Sequence, residues 1–400
     1  METDAPQSVV DVAEGLDVSA LLDINHPLKQ EVADWASDHL DAADLVQRDA
    51  ASSFDRTQWD RVAATGLLGS AVSRDYGGTG DDLVTTTLKL EGLGYGCRDN
   101  GLATAVAAQM LIVQHVLSSF GTEAQRRSLL PRMVSGELIG AFAATEQDAG
   151  SDTFSMTTRA EADEDGYRLS GRKSYVTLGP IADVAVVFAS TNPDVGRWGV
   201  SAFLVRAGRP GVTFTTSRDK MGLRTSPLGD IELDGYLAGA DDLIGQPGSG
   251  ASIFSATMEP ERGLMFATQL GAAHRVIDES VTASKTREQY GQPIGTFQAV
   301  SHRIAEMRVM FESARLQTYR TAMLLASGRS VTLEAAMTKL VVSEAVAAIA
   351  LDAVRVFGAV GYLSEYGIER EVRDALGGLV YSGTSDIQRN VIAALMEIPQ

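Results

Sequence analysis

Gly140-Ala141-Phe142-Ala143-Ala144-Thr145-Glu146-Gln147-Asp148-Ala149-Gly150-Ser151-Asp152 divides the chain. Ahead of it, apolar residues recur at three- and four-residue spacing; from it onward they gather into runs of strand length. The apolar half of the stretch reads as a strand. The polar, glycine-containing half reads as a turn, and such a turn presents backbone N–H groups and hydroxyls to a polar ligand edge or a phosphate. By composition alone it is an ordinary turn, and its meaning depends on what surrounds it.

Upstream, helices are expected over 26–47 (amphipathic and Ala-rich), 57–65 (ended by Gly66), 81–95 and 101–120, the last apolar enough to be fully buried. Downstream, Gly, Pro and Asn turns separate strands expected at 167–171, 184–189, 199–205 and 211–215. Long helices return at 260–288, 298–326 and 333–357, with a shorter one from Ser385, a pattern that predicts a four-helix bundle. Pro260 is expected in the first turn of its helix, where a missing N–H costs nothing. Helices, then strands, then helices is an α+β order and not the alternation of a doubly wound fold. The expected organisation is a flexible arm at 1–24, a helical domain at 25–140, a β domain at 141–250 and a helical bundle at 251–400. The run Gly92-Leu93-Gly94-Tyr95-Gly96 is no dinucleotide fingerprint, because it follows a helix and not a strand.

A formal net charge of −18 argues against nucleic acid as a partner. No apolar run reaches the ~20 residues of a membrane span, so none is expected. The acidic first residues lack the order of a signal peptide, and the single cysteine, Cys97, suits a reducing cytoplasm. The histidines are scattered without ligand spacing, so no metal is expected.

Seven segments then fall in a recognisable order. They are Phe120-Gly121-Thr122-Glu123 with Leu130-Pro131; Thr145-Glu146 through Ser151-Asp152; Lys173-Ser174-Tyr175-Val176-Thr177; and Met221-Gly222-Leu223-Arg224-Thr225-Ser226. Arg287-Glu288-Gln289-Tyr290-Gly291-Gln292-Pro293, Phe357-Gly358-Ala359-Val360-Gly361-Tyr362 with Arg373-Asp374, and Tyr381-Ser382-Gly383-Thr384-Ser385 complete them. Together, over about residues 25 to 397, they resemble the acyl-CoA dehydrogenases. The resemblance implies a helical domain, a β-barrel-like domain and a four-helix domain, in a homotetramer with FAD between the second and third. It implies an acyl-CoA or carrier-protein thioester as substrate, and an electron-transfer flavoprotein or oxygen as electron acceptor. Thr145, Ser151, Tyr175, Thr177, Thr384 and Asp386 are implied FAD contacts. Arg287, Gln289 and Tyr290 are implied contacts to a neighbouring subunit's FAD, Phe357 and Gly358 are further implied FAD contacts, and Arg262, Tyr381 and Gly383 line the implied substrate site. Tyr175 stands where many relatives carry Trp, and either ring can cover a flavin face.

Desaturating an acyl thioester between its α and β carbons needs a base for the α-proton, a hydride acceptor at flavin N5, and donors for the thioester oxygen. Most of the family places a Glu directly after the Tyr of the last segment, where this chain has Ser382. The isovaleryl-CoA and long-chain branches instead place it before an Arg on the first bundle helix. Here that place holds Glu261-Arg262, with Glu259 as the rival carboxylate. In a first helical turn the dipole lowers the Glu261 pKa while burial raises it. Ser382 retains an implied role through its backbone N–H, which binds the thioester oxygen. Ser385-Asp386-Ile387-Gln388 reads as a capping box. Two alternatives stay open: a flavin-dependent monooxygenase on the same fold, and a non-catalytic subunit that completes a neighbour's FAD site.

Overall fold

In a computed structural model, residues 23–40 and 42–398 are described. The expected arm at 1–24 therefore lies almost wholly outside the described residues. The chain opens with helices α1 (Pro27–His39), α2 (Leu45–Ala51), α3 (Arg56–Ala64), α4 (Leu83–Gly96), α5 (Asn100–Phe120) and α6 (Glu123–Val134). The expected helix 26–47 is in fact α1 and α2, separated by a break after His39. Glycines of α4 are packing surfaces: a Cβ on Gly94 would lie 1.8 Å from the Thr268 carbonyl oxygen, and one on Gly96 2.1 Å from that of Ala33. The glycine run thus lets α4 press on α1 and on the bundle.

α5 corrects one expectation. At 21 residues it is long and apolar enough to cross a bilayer, but 83% of its most apolar window is buried inside the protein. A segment from Gln109 to Gln114 widens to a π-helix, and Gln109 there donates to the Leu138 carbonyl at 2.9 Å and accepts from the Gly140 N–H at 2.8 Å. This pins the start of the β domain to the helical core.

The eight-stranded sheet comprises β1 (Gly140–Ala143), β2 (Arg159–Asp163), β3 (Gly166–Thr177), β4 (Val184–Ser190), β5 (Val200–Arg206), β6 (Val212–Phe214), β7 (Leu228–Gly239) and β8 (Leu243–Ile244). Its order is β6-β7-β3-β2-β4-β5-β8, with β1 parallel to β4. β2, β7 and β8 were not expected. β7 carries Asp230, Glu232, Asp234 and Gly235, so its apolar signal is interrupted, and only pairing with β3 makes it a strand. β3 fuses two segments that read separately, and its ladder shifts register between Lys173 and Val176. That bulge re-aims Tyr175.

The last region contains α7 (Gly250–Leu264), α8 (Ala267–Thr286), the hairpin strands β9 (Glu288–Gln289) and β10 (Gln292–Pro293), α9 (Gln298–Ala326), α10 (Thr332–Phe357), α11 (Ile368–Gly377) and α12 (Ser385–Leu395). The expected helix 260–288 is two helices, and Pro260 lies inside the first of them. Glu261 consequently occupies the last turn of α7 and not a first turn. The dipole there disfavours a carboxylate, opposite to the expected sign.

Candidate active site

Glu261 on α7 faces the loop between α11 and α12. The Ser382 hydroxyl donates to its Oε1, while Oε2 is buried and has no hydrogen-bond partner among the described residues. Burial pushes the Glu261 carboxyl above the usual range, against the Ser382 bond and the nearby cations Arg262 and Lys339. A buried carboxylate with one bare oxygen is costly in a structural role and appropriate to a proton acceptor.

The loop that meets it is held in a strained form. Ser382 has φ 59° and Gly383 φ 80°, the left-handed region that β-carbon-bearing residues avoid. Its carbonyls are clamped: Arg262 Nε donates to the Ser382 oxygen at 3.2 Å, and Gln388 Nε2 to the oxygens of Ser382 and Gly383 at 3.1 and 3.0 Å. The Ser382 N–H, on the preceding Tyr381–Ser382 peptide, has no acceptor among the described residues. The expected capping box at Ser385 is not formed. Thr384 is the cap, accepting from the Ile387 N–H at 3.2 Å, and Gln388 is drawn off to the loop carbonyls. Tyr381 stacks on Phe266 at 5.4 Å and accepts a bond from Gln269, and burial drives its phenol pKa up, so it stays protonated. Asp386 points outward and pairs with Arg389.

Glu259, the rival carboxylate, is spoken for. It accepts from Ser330 Oγ at 2.7 Å, the Val331 N–H at 3.2 Å and Thr332 Oγ1 at 2.5 Å, which caps the start of α10.

The second group lies on the β domain. Thr145 accepts from the Ser174 N–H at 2.9 Å through its carbonyl. The turn after it is anchored from beneath by a buried pair, with Lys173 Nζ 2.9 Å from Glu146 Oε1 and 3.0 Å from the Ala144 oxygen. Glu146 also accepts from the N–H groups and hydroxyls of Thr157 and Thr158. Burial raises its pKa, but Lys173 and these donors overcome that and hold it at about 2. Tyr175 takes φ 57° and stays half exposed, with Arg218 over its ring at 4.9 Å. The hydroxyls of Thr145, Ser151 and Thr177 have no partner among the described residues. Free hydroxyls beside an exposed, strained aromatic ring fit a planar polar ring system, and FAD is such a ligand. The Met221–Ser226 segment is tied to α11: Leu223 donates to Asp374 at 2.5 Å, and Arg373 to the Met221 oxygen at 2.9 Å.

The third group stands apart. Arg287 donates to the Phe357 carbonyl at 2.7 Å, close to Gly358 at φ 64°. Gln289 and Tyr290 occupy the β9–β10 hairpin, and Tyr290 is 94% exposed. No hydrogen bond or ring contact among the described residues joins this group to the other two.

Sequence reading missed Lys339, Gln388 and the Glu146–Lys173 pair. The available signal for Lys339 was a lone charge inside the apolar stretch of α10. No cluster of potential metal ligands occurs among the described residues.

Models of the acyl-CoA dehydrogenase N-terminal, middle and C-terminal domains match residues 25–137, 141–236 and 248–396. An L-prolyl-[peptidyl-carrier protein] dehydrogenase of Pseudomonas fluorescens is 39% identical over 86% of this chain and 91% of its own. A short-chain specific acyl-CoA dehydrogenase of Megasphaera elsdenii is 33% identical over 92% and 96%. The solved structure of PigA with FAD and proline superposes with a TM-score of 0.90 at 34% identity, covering 96% of this chain and 98% of that one. With its three domains matched in order and close in sequence to dehydrogenases of acyl thioesters, this chain belongs to the acyl-CoA dehydrogenase family and is an FAD-dependent dehydrogenase of acyl thioesters.

Proposed function

We propose that Glu261 is the base that removes the α-proton, and that the acyl group is prolyl, delivered as a thioester on a carrier protein. The observation that carries the first part is the buried Glu261 carboxylate, fixed through one oxygen by Ser382 and bare at the other. Higher identity to the prolyl-carrier dehydrogenase than to the short-chain acyl-CoA dehydrogenase supports the second.

FAD, when bound, supplies the acceptor for the β-hydrogen as hydride. Thr145, Ser151, Tyr175 and Thr177 would hold its ring system, with Thr384 beside it. Glu261 takes the α-proton onto its free oxygen while Ser382 retains the other. The Ser382 N–H, on a residue whose carbonyl Arg262 and Gln388 clamp, stabilises the thioester oxygen as it gains negative charge. Tyr381 and Gly383 shape the acyl end of the site. Arg287, Gln289, Tyr290, Phe357 and Gly358 reach a neighbouring subunit's FAD in a homotetramer, which accounts for a tyrosine left 94% exposed. Electrons leave to an electron-transfer flavoprotein or to oxygen.

Anaerobic mixing with prolyl-loaded carrier protein, prolyl-CoA, butyryl-CoA and isovaleryl-CoA tests the substrate. Fast flavin bleaching by the prolyl carrier alone is expected, and faster bleaching by butyryl-CoA or isovaleryl-CoA overturns it. Reoxidation by air against reoxidation by an electron-transfer flavoprotein separates the acceptors.

A further inference from the structure

Lys339 sits within Ala336-Met337-Thr338-Lys339-Leu340-Val341-Val342 on α10. It is completely buried, and its ammonium has no hydrogen-bond partner among the described residues. The Phe266 ring that stacks on Tyr381 lies 5.9 Å from it. Across the bundle, Glu261 Oε2 is also buried and bare. The two side chains feel each other's charge without closing a direct ion pair. Burying an unpaired ammonium is expensive, and a methionine of similar length would serve a purely structural role better.

We propose that Lys339 is a positioning residue for α-proton removal: its ammonium, on the helix opposite Glu261, keeps that carboxylate ionised inside the closed bundle. The inference rests on Glu261 being the base. Around the pair stand Arg262 on α7, Tyr381 and Ser382 from the loop, Glu344 on α10 and Arg389 on α12. Arg262 uses its Nε on the Ser382 carbonyl, and Ser382 is neutral. Lys339 is therefore the cation whose donors all remain free to answer Glu261. Burial works against both charges, drawing Lys339 down to about 8 while Glu261 pulls it back up. The sign follows directly. A nearby cation favours the anion, so it extends to lower pH the range in which Glu261 can accept a proton, and its removal shortens that range.

Infrared difference titration of the FAD-loaded, substrate-free protein, labelled with ¹³C-glutamate, reads this directly. The carboxylic-acid C=O band absent from Glu261→Gln belongs to Glu261. In Lys339→Met, and again in Lys339→Gln, that band is expected at a clearly higher pH than in the wild type, because a nearby opposite charge favours the ionised carboxylate. FAD content is expected to stay unchanged. A Glu261 band at the wild-type pH in either variant overturns the inference, and loss of folding in both assigns Lys339 to structure alone and overturns it too. No substrate enters this titration, so its result stands apart from whether Glu261→Gln still reduces its flavin, the outcome that tests the base itself.

Discussion

The Ser382 hydroxyl donates to Glu261 Oε1 across the gap between α7 and the last loop, joining the two positions at which this family places its base. The carboxylate and the serine that replaces the usual glutamate therefore face the same reaction space. A base moved between these positions still serves one α-carbon. Ser382→Glu on the Glu261→Gln background is expected to restore part of the flavin reduction that Glu261→Gln loses, read by anaerobic stopped flow. No recovery in a folded, FAD-loaded double variant would show that the two positions serve different atoms.

Ser382→Ala removes the donor and leaves the backbone N–H in place. Because the Ser382 bond favours the Glu261 anion, its loss lets burial push the carboxyl higher. The base works only when ionised, so activity is lost as pH falls through its pKa. The acid limb of flavin reduction is expected to move up by on the order of one pH unit, with the high-pH plateau little changed. An unmoved limb with a lower plateau would indicate that Ser382 binds substrate instead.

Gln388→Met removes both bonds to the loop carbonyls while keeping a buried side chain of similar size. Ser382 then loses part of the restraint on its carbonyl side, and its N–H is held less firmly. Flavin reduction is expected to fall roughly tenfold, the scale on which loosened oxyanion contacts act, while FAD content holds. Equal rates for variant and wild type would remove the clamp from the mechanism.

Glu146→Gln leaves Lys173 buried without its countercharge. Removal of one partner of such a pair costs about 3–5 kcal/mol. The midpoint of urea unfolding is expected to drop and FAD to dissociate more readily, because the Thr145 and Ser151 turn is anchored on that pair. Since the Glu146 carboxylate is held at about 2, well below its unfolded value, its stabilisation is present above the unfolded pKa and lost only as pH falls through that low folded value. The variant and the wild type should therefore converge in stability under strongly acid conditions, and a gap that persists there would point to lost packing.

Much of this was legible from residue order. The helix Gln298–Ala326 begins and ends where its apolar spacing does, since nothing non-local competes with it. The break between α7 and α8 was not legible: Pro260 is a favourable helix start, and only the packing of Gly250 under the Val200 carbonyl shows that the helix has begun earlier. β7 was hidden because its charged residues read as loop until β3 pairs with them. At the candidate site, Glu261, Ser382 and Tyr381 are singled out by their motifs, and the structure brings Glu261 and Ser382 together. Gln388 was read as half of a capping box, and its true partners depend on the left-handed turn at Ser382 and Gly383. Lys339 carries no motif, and its meaning comes from burial beside a carboxylate on another helix.

The most direct measurement is the anaerobic flavin-reduction rate of Glu261→Gln with the thioester that reduces the wild type fastest, beside Glu259→Gln as control. Glu261→Gln is expected to keep FAD and thioester binding and to lose flavin reduction by about 10²–10⁴-fold, the contribution of a general base. Glu259→Gln is expected to reduce its flavin almost normally and to lose some thermal stability, because it weakens the cap on α10. Reduction of the Glu261→Gln flavin at nearly the wild-type rate would contradict Glu261 as the base.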